Sequence, residues 1–318
     1  MGVVQREACR LDLAWIRLDP VERMALIVHR IRDYLDLIRL PNVFTAAADA
    51  VAGYVYVGGT IEGWPTVVAL VSASASLYAG GVALNDVCDM NRDMRERPER
   101  PIPSGRVSLR AARCLCGMLL AAGLGCAAWL SVRALLIASL LVVCIVLYHT
   151  AFKTSVLAPA FMGACRALNL TLAMSVAESL WTTAILVPSC LMWLYVSSLT
   201  LFARCEGGVS TRRRLVCGLA GMCTGTCGLS CLSWILDQSE PLQLWLVGVV
   251  TVLVGLAGWR AVRAPQPRSV QRAVKRLVFM IILFDACIVA AARGPAVTLA
   301  IAGMIAPAAA LGRPFRVT

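Results

Sequence analysis

The chain predicts an all-α polytopic membrane protein, and three observations carry that reading. Of its 318 residues 59% are hydrophobic and only 15% charged, with a mean hydropathy of +0.76. A soluble core of this length cannot hide so much apolar surface. The apolar residues gather into segments near 42–58, 65–85, 108–129, 133–149, 155–177, 181–203, 215–236, 243–259, 274–292 and 295–311. A bilayer-spanning helix needs roughly 20 such residues. Basic residues then collect at alternate ends of the segments, as they do when one face of the protein is cytoplasmic. The expectation is nine crossings, or ten when 295–311 is counted.

The same balance excludes soluble enzymes and nucleic-acid binders as classes. Thirty Lys and Arg against eighteen Asp and Glu give a net charge of +12, which on a membrane chain marks the cytoplasmic face. Residues 1–39 are studded with Arg, Asp and Glu and hold no continuous apolar run, so no signal peptide is read and the N-terminus is expected to stay cytoplasmic. Asp19-Pro20-Val21-Glu22 is a helix start: Asp caps, Pro takes the first position and Glu closes a capping box. The helix over 20–40 alternates Met24, Ile27, Ile31, Leu35 and Ile38 with charges and is expected to lie along the membrane surface. Residues 1–40 thus form a cytoplasmic segment and 41–318 the transmembrane domain.

With that orientation the inner loops hold eighteen Lys and Arg, and the outer connections only Arg133 and Arg293. The division supports that orientation, and the expected location is the cell (inner or plasma) membrane. Fourteen cysteines form no CxxC pair, and most lie in apolar runs, where they read as small packing residues. The two histidines, His29 and His149, form no metal pair and are expected to be solvated. Arg166, near mid-helix, needs an anionic partner, and Asp49, Asp285 or a substrate phosphate are the candidates. A buried ion pair that fixes helix packing is the alternative.

The second crossing closes on Asn85-Asp86-Val87-Cys88-Asp89-Met90-Asn91-Arg92-Asp93, and a loop containing Arg100-Pro101-Ile102-Pro103-Ser104-Gly105 follows. If one helix runs through the first of these, Asn85, Asp89 and Asp93 stack at four-residue intervals with Asp86 on the adjoining edge. Converging carboxylates repel unless a cation holds them, and hard oxygen donors suit Mg²⁺ beside a diphosphate. A solvated acidic helix end, balanced by the arginines after it, is the other reading of the spacing.

These residues resemble the first aspartate motif of the UbiA superfamily of intramembrane prenyltransferases. Asn85, Asp86, Asp89 and Asp93 fall on its NDxxDxxxD pattern, and residues 100–105 on its RPIPSG-type loop. Arg39-Leu40-Pro41-Asn42 at the first crossing, with Tyr148 and Lys153 at the inner end of the fourth, extend the resemblance over nearly the whole chain. The resemblance implies helices around a central cavity and a prenyltransferase that uses Mg²⁺. Such an enzyme passes a polyprenyl group from an allylic prenyl diphosphate to an aromatic or other lipid-soluble acceptor. Asn85, Asp86, Asp89 and Asp93 would hold the metal, and Asp86, Asp89 and Lys153 would be catalytic. Asn85, Arg39, Arg100, Arg166, Arg204, Tyr148 and Asn42 would meet the diphosphate.

Typical family members carry a second aspartate-rich motif between the sixth and seventh crossings. Here the corresponding loop, 204–214, holds a single acid, Glu206, among four arginines. Glu206 is the remaining candidate metal ligand, and the arginines could meet phosphate oxygens directly. This departure, with Gly163-Ala164-Cys165-Arg166-Ala167-Leu168-Asn169, resembles the EboC-like branch of the superfamily, associated with a gene cluster implicated in moving a metabolite across the inner membrane. The branch implies an alternative: a non-catalytic or export-associated member that holds a prenyl diphosphate or lipid-like metabolite.

Overall fold

The computed structural model describes residues 19–204, 211–237 and 241–311, and helices make up nearly all of them. The predicted capping box opens α1 (Pro20–Leu37). Glu22 N–H donates to Asp19 Oδ1 at 2.8 Å and Asp19 N–H to Glu22 Oε2 at 3.1 Å. The helix stops three residues short of the expected boundary because Arg39 takes a left-handed backbone, φ 50° and ψ 59°. For a residue with a Cβ that conformation costs about 1–2 kcal/mol. A new helix, α2 (Leu40–Tyr56), starts after it with Pro41 in its first turn. Met24, Ile27, Val28 and Ile31 of α1 are exposed. Leu37 packs with Ile102 and Val107, and an Asp33–Arg106 ion pair ties α1 to the loop beyond the aspartate motif.

The remaining elements are α3 (Trp64–Cys88), α4 (Met90–Glu96), α5 (Leu109–Leu130), α6 (Val132–Leu147), α7 (Ala158–Ala173) and α8 (Thr183–Ala203). After these come α9 (Arg212–Gly228), α10 (Leu232–Ile235), α11 (Pro241–Arg263), α12 (Pro267–Ala290), α13 (Pro295–Gly303) and α14 (Ile305–Leu311). A helix overlies every apolar segment picked out in the sequence. Six helical rods are long and apolar enough to cross a membrane by length and composition: 64–88, 109–130, 132–152, 183–203, 212–235 and 241–263. The others fall outside that measure for visible reasons. α2 and α7 have 17 and 16 residues, α12 begins among Arg268, Arg272, Lys275 and Arg276, and 295–311 is broken at Met304.

Along the chain α2, α3, α5, α6, α7, α8, α9, α11 and α12 each pack on the next, and α12 packs back on α2. The bundle therefore closes around an interior. Small residues let the helices approach where no water-driven force presses them together. A Cβ on Gly163 of α7 would lie 2.6 Å from the Trp193 carbonyl oxygen of α8, and one on Gly218 of α9 would lie 2.8 Å from the Ser198 carbonyl oxygen.

The two ends of the bundle differ chemically. The aspartate motif and Lys153 share one end. At the other, Trp64, Trp129, Trp181, Trp234 and Trp245 are all exposed near helix termini, the position that indoles take at a lipid–water boundary. The two arginines expected at that far end bind carbonyls at or just beyond helix C-termini. Arg133 Nη1 donates to Ala177 O at 2.9 Å and Glu178 O at 2.8 Å, and Arg293 Nε to Val55 O at 2.9 Å.

Candidate functional site

The expected continuous helix through the motif is broken. α3 ends at Cys88 and α4 begins at Met90, although Asp89 N–H still bonds Asn85 O at 2.9 Å and Asp93 N–H bonds Asp89 O at 2.8 Å. The break divides the four predicted metal ligands between two surroundings. Asn85 and Asp89 line a polar cavity of about 660 Å³ at the motif end. Asp86 and Asp93, 4% and 3% exposed, turn the other way. Arg100 Nη1 donates to Asp93 Oδ2 at 2.6 Å and Asp86 Oδ1 at 3.2 Å. Arg39 Nη2 adds a bond to Asp86 Oδ1 at 3.1 Å, and Asn85 Nδ2 another at 3.0 Å.

Three of the residues expected at the metal and the diphosphate, Asp86, Asp93 and Arg100, pair with one another here. Asp86 and Asp93 stand as the counter-charges of Arg100, itself only 6% exposed, rather than as oxygens presented to the cavity. Arg100 reaches the cavity wall, but its guanidinium is held by the two carboxylates. Among the described residues no three His, Cys, Asp or Glu side chains gather as a metal cluster, and Glu206 lies outside them. The donors facing the cavity still suit Mg²⁺. Lys153 Nζ reaches between Asn85 Oδ1, at 2.6 Å, and Asp89 Oδ2, so a cation already bridges those oxygens. Mg²⁺ is commonly held by one or two carboxylates together with phosphate oxygens and water.

Lys153 follows a π-helical turn, Tyr148–Phe152, at the end of α6. Such single turns are frequent at functional sites because they re-aim side chains. Burial pulls the Lys153 ammonium below its ordinary value and the Asp89 carboxylate pulls it back. Arg204 donates to Thr154 O at 2.9 Å and Ser155 O at 2.8 Å, which fixes the loop carrying Lys153. Arg39, Tyr148 and Arg204 line the polar cavity beside Asn85, Asp89 and Lys153.

Asn42 and Arg166 do not. They line a second chamber of about 360 Å³ deeper in the bundle, walled by Leu141, Ile145, Val196, Leu199, Val278 and Ile281. The chamber and the polar cavity share Arg39, Asn85, Arg97 and Tyr148, so a charged mouth opens into an apolar interior. Arg166, 7% exposed, holds its Nε 2.7 Å from Asp49 Oδ2, one of the partners the sequence offered. Asn169 Nδ2 donates to the same oxygen at 2.8 Å. Asp285, fully buried, lies against Asp49, and neither of its oxygens accepts from a nitrogen donor among the described residues.

Sequence reasoning missed Arg97 and Tyr78 as lining residues and misplaced His149, which lines the inner chamber edge-on to Tyr148 with ring centroids 4.8 Å apart. Arg97 was one arginine among many in the inner loops. The π-helical turn that swings His149 inward has no sequence signature.

Comparison with known proteins agrees with this architecture. The model of the UbiA prenyltransferase family matches residues 46–284. A digeranylgeranylglyceryl phosphate synthase of Metallosphaera sedula is 31% identical over 227 residues, 67% of this chain and 77% of that protein. The Methanopyrus kandleri synthase is 34% identical over 47% of this chain and 56% of its own, and the Sulfolobus acidocaldarius synthase 38% over 30% and 34%. The chain thus spans about half or less of those two relatives' length. Among solved structures, a UbiA homologue from Aeropyrum pernix K1 superposes with a TM-score of 0.61 at 17% identity, over 78% of this chain and 96% of that one. A UbiA homologue from Archaeoglobus fulgidus bound to DMAPP and Mg²⁺ gives 0.56 at 14%, over 85% and 99%.

Proposed function

This chain belongs to the UbiA prenyltransferase family, and from that premise we propose that it transfers a prenyl group from an allylic prenyl diphosphate to a lipid-soluble acceptor within the membrane. One observation carries the reading: Asn85, Asp89 and Lys153 meet at a polar mouth that opens directly into an apolar chamber. An allylic diphosphate has the same two-part chemistry, a multiply charged head on a greasy tail. The solved Archaeoglobus homologue holds such a molecule, DMAPP, with Mg²⁺.

Mg²⁺ would be held by Asn85 and Asp89 and would withdraw charge from the leaving diphosphate. Lys153 and Arg39 would bind phosphate oxygens, and Arg204 would keep the Lys153 loop in place. Arg100, clamped by Asp86 and Asp93, would fix the angle at which α3 presents Asn85 and Asp89. The dry chamber would keep water from the allylic cation until the acceptor reacts. The N-terminus, α1 and the polar mouth would face the cytoplasm and α1 would lie on the membrane surface, a placement supported by the arginines at the motif end and the tryptophans at the far end.

The test is turnover of labelled prenyl diphosphates of several lengths by the purified protein with Mg²⁺ and a panel of acceptors. Transfer abolished by EDTA and by Asp89→Asn supports the reading. Binding without turnover across the panel would instead favour an export-associated or scaffold member of the EboC-like kind, a reading supported by the single acid in the 204–214 loop.

A further inference from the structure

Arg166 lines the wall of the inner chamber and not the polar mouth. Its Nε stands 2.7 Å from Asp49 Oδ2 as an ion pair, but neither Nε nor the buried Nη2 makes a well-directed hydrogen bond among the described residues. A guanidinium N–H left unanswered in an apolar interior is costly, and an intramembrane cation in that state points to a ligand. The guanidinium is also held in place: Cζ lies 5.8 Å from the Tyr78 ring centroid, and Asn169 steadies Asp49 from one turn further along α7.

We propose that the Arg166 guanidinium, where it lines the chamber, is the recognition point for the acceptor, and that it takes a neutral oxygen, hydroxyl or carbonyl, on an otherwise apolar molecule. The neutral class follows from the local charges. Asp49 already balances Arg166, and Asp285 adds a second carboxyl group to the same buried cluster. A phosphate or carboxylate held at Arg166 would face those acids, since the chamber's other cations, Arg39 and Arg97, stand at the mouth it shares with the polar cavity, whereas a neutral oxygen needs only one N–H of the guanidinium. The proposal rests on the prenyl-transfer reading only for the word acceptor, since the subsite is defined without it.

The test uses the full-length protein in detergent, without Mg²⁺ or prenyl diphosphate, titrated with 1-naphthol, naphthalene and 1-naphthyl phosphate. The expected result is a preference of about tenfold for naphthol over naphthalene, the size of one hydrogen bond to a charged group, and no preference for the phosphate. Arg166→Met alone leaves Asp49 buried without its partner and can fail to fold. The double variant Arg166→Met with Asp49→Asn removes the donor and the charge together, and it should bind naphthol and naphthalene alike. Equal binding by the unmodified protein, an unchanged preference in the folded double variant, or tighter binding of the phosphate would overturn the assignment. A parallel titration with geranyl diphosphate and Mg²⁺ keeps the two readings apart. Failure there sinks prenyl transfer and leaves the naphthol result standing, and the reverse pattern sinks the subsite alone.

Discussion

The mouth and the deep cluster of this bundle both pair carboxylates with cations, but they balance their accounts differently. At the mouth every motif acid has a cation: Asp86 and Asp93 have Arg100, Asp86 also has Arg39, and Asp89 has Lys153. Deeper in, Arg166 has one partner and an idle N–H, while Asp285 takes no nitrogen donor. Beside a polar cavity, water can answer a spare group cheaply, so full pairing there reads as shaping of the site. In the apolar interior no solvent answers, and an idle donor persists where something else supplies the oxygen.

The contrast can be broken most forcefully at Arg100. Arg100→Ala leaves Asp93 buried without a counter-charge and Asp86 with Arg39 alone, and should cost about 3–5 kcal/mol, read as a lower melting point in detergent. Adding Asp86→Asn and Asp93→Asn should recover most of it. A small loss would mean that water reaches the pair and that the mouth is softer than its burial implies. Next in size, Asp89→Asn should lower prenyl transfer by about 10²-fold or more with little change in melting, because Asp89 faces the cavity. A melting loss as large as that of Arg100→Ala would erase the distinction between presented and clamped acids.

Smaller effects sharpen the frame that holds both regions. Gly163→Ala forces a Cβ against the Trp193 carbonyl and should destabilise by about 1–3 kcal/mol. Because α7 carries Arg166, naphthol binding should weaken with it. Gly105, at φ +76° with open space around it, should lose about 1 kcal/mol as Ala from backbone strain alone. Its activity at saturating substrate should be unaltered.

Much of the fold was legible because it follows from chain-local physics. Hydropathy runs located the helices, the Asp19 box fixed where α1 begins, and the polar cost of a mid-helix arginine named Asp49 among three candidate partners. What stayed hidden depended on geometry that spacing does not carry. Four-residue intervals put Asn85, Asp89 and Asp93 on one face only while the helix is unbroken, and the turn at Asp89 undid that face. Nothing in the residues at 148–152 announces the π-helical turn that carries His149 inward, and the left-handed backbone of Arg39 is one that composition would have assigned to glycine.

The band of tryptophans has a consequence for where the protein can work. Most exposed indoles at one rim and most guanidinium groups at the other act as two fixed floats, and α3, 25 residues long, sets about 37 Å between them. A bilayer much thinner or thicker than that span would tilt the rods or pull one rim under. Membrane thickness thereby becomes a variable that governs how deeply the mouth sits below the lipid headgroups.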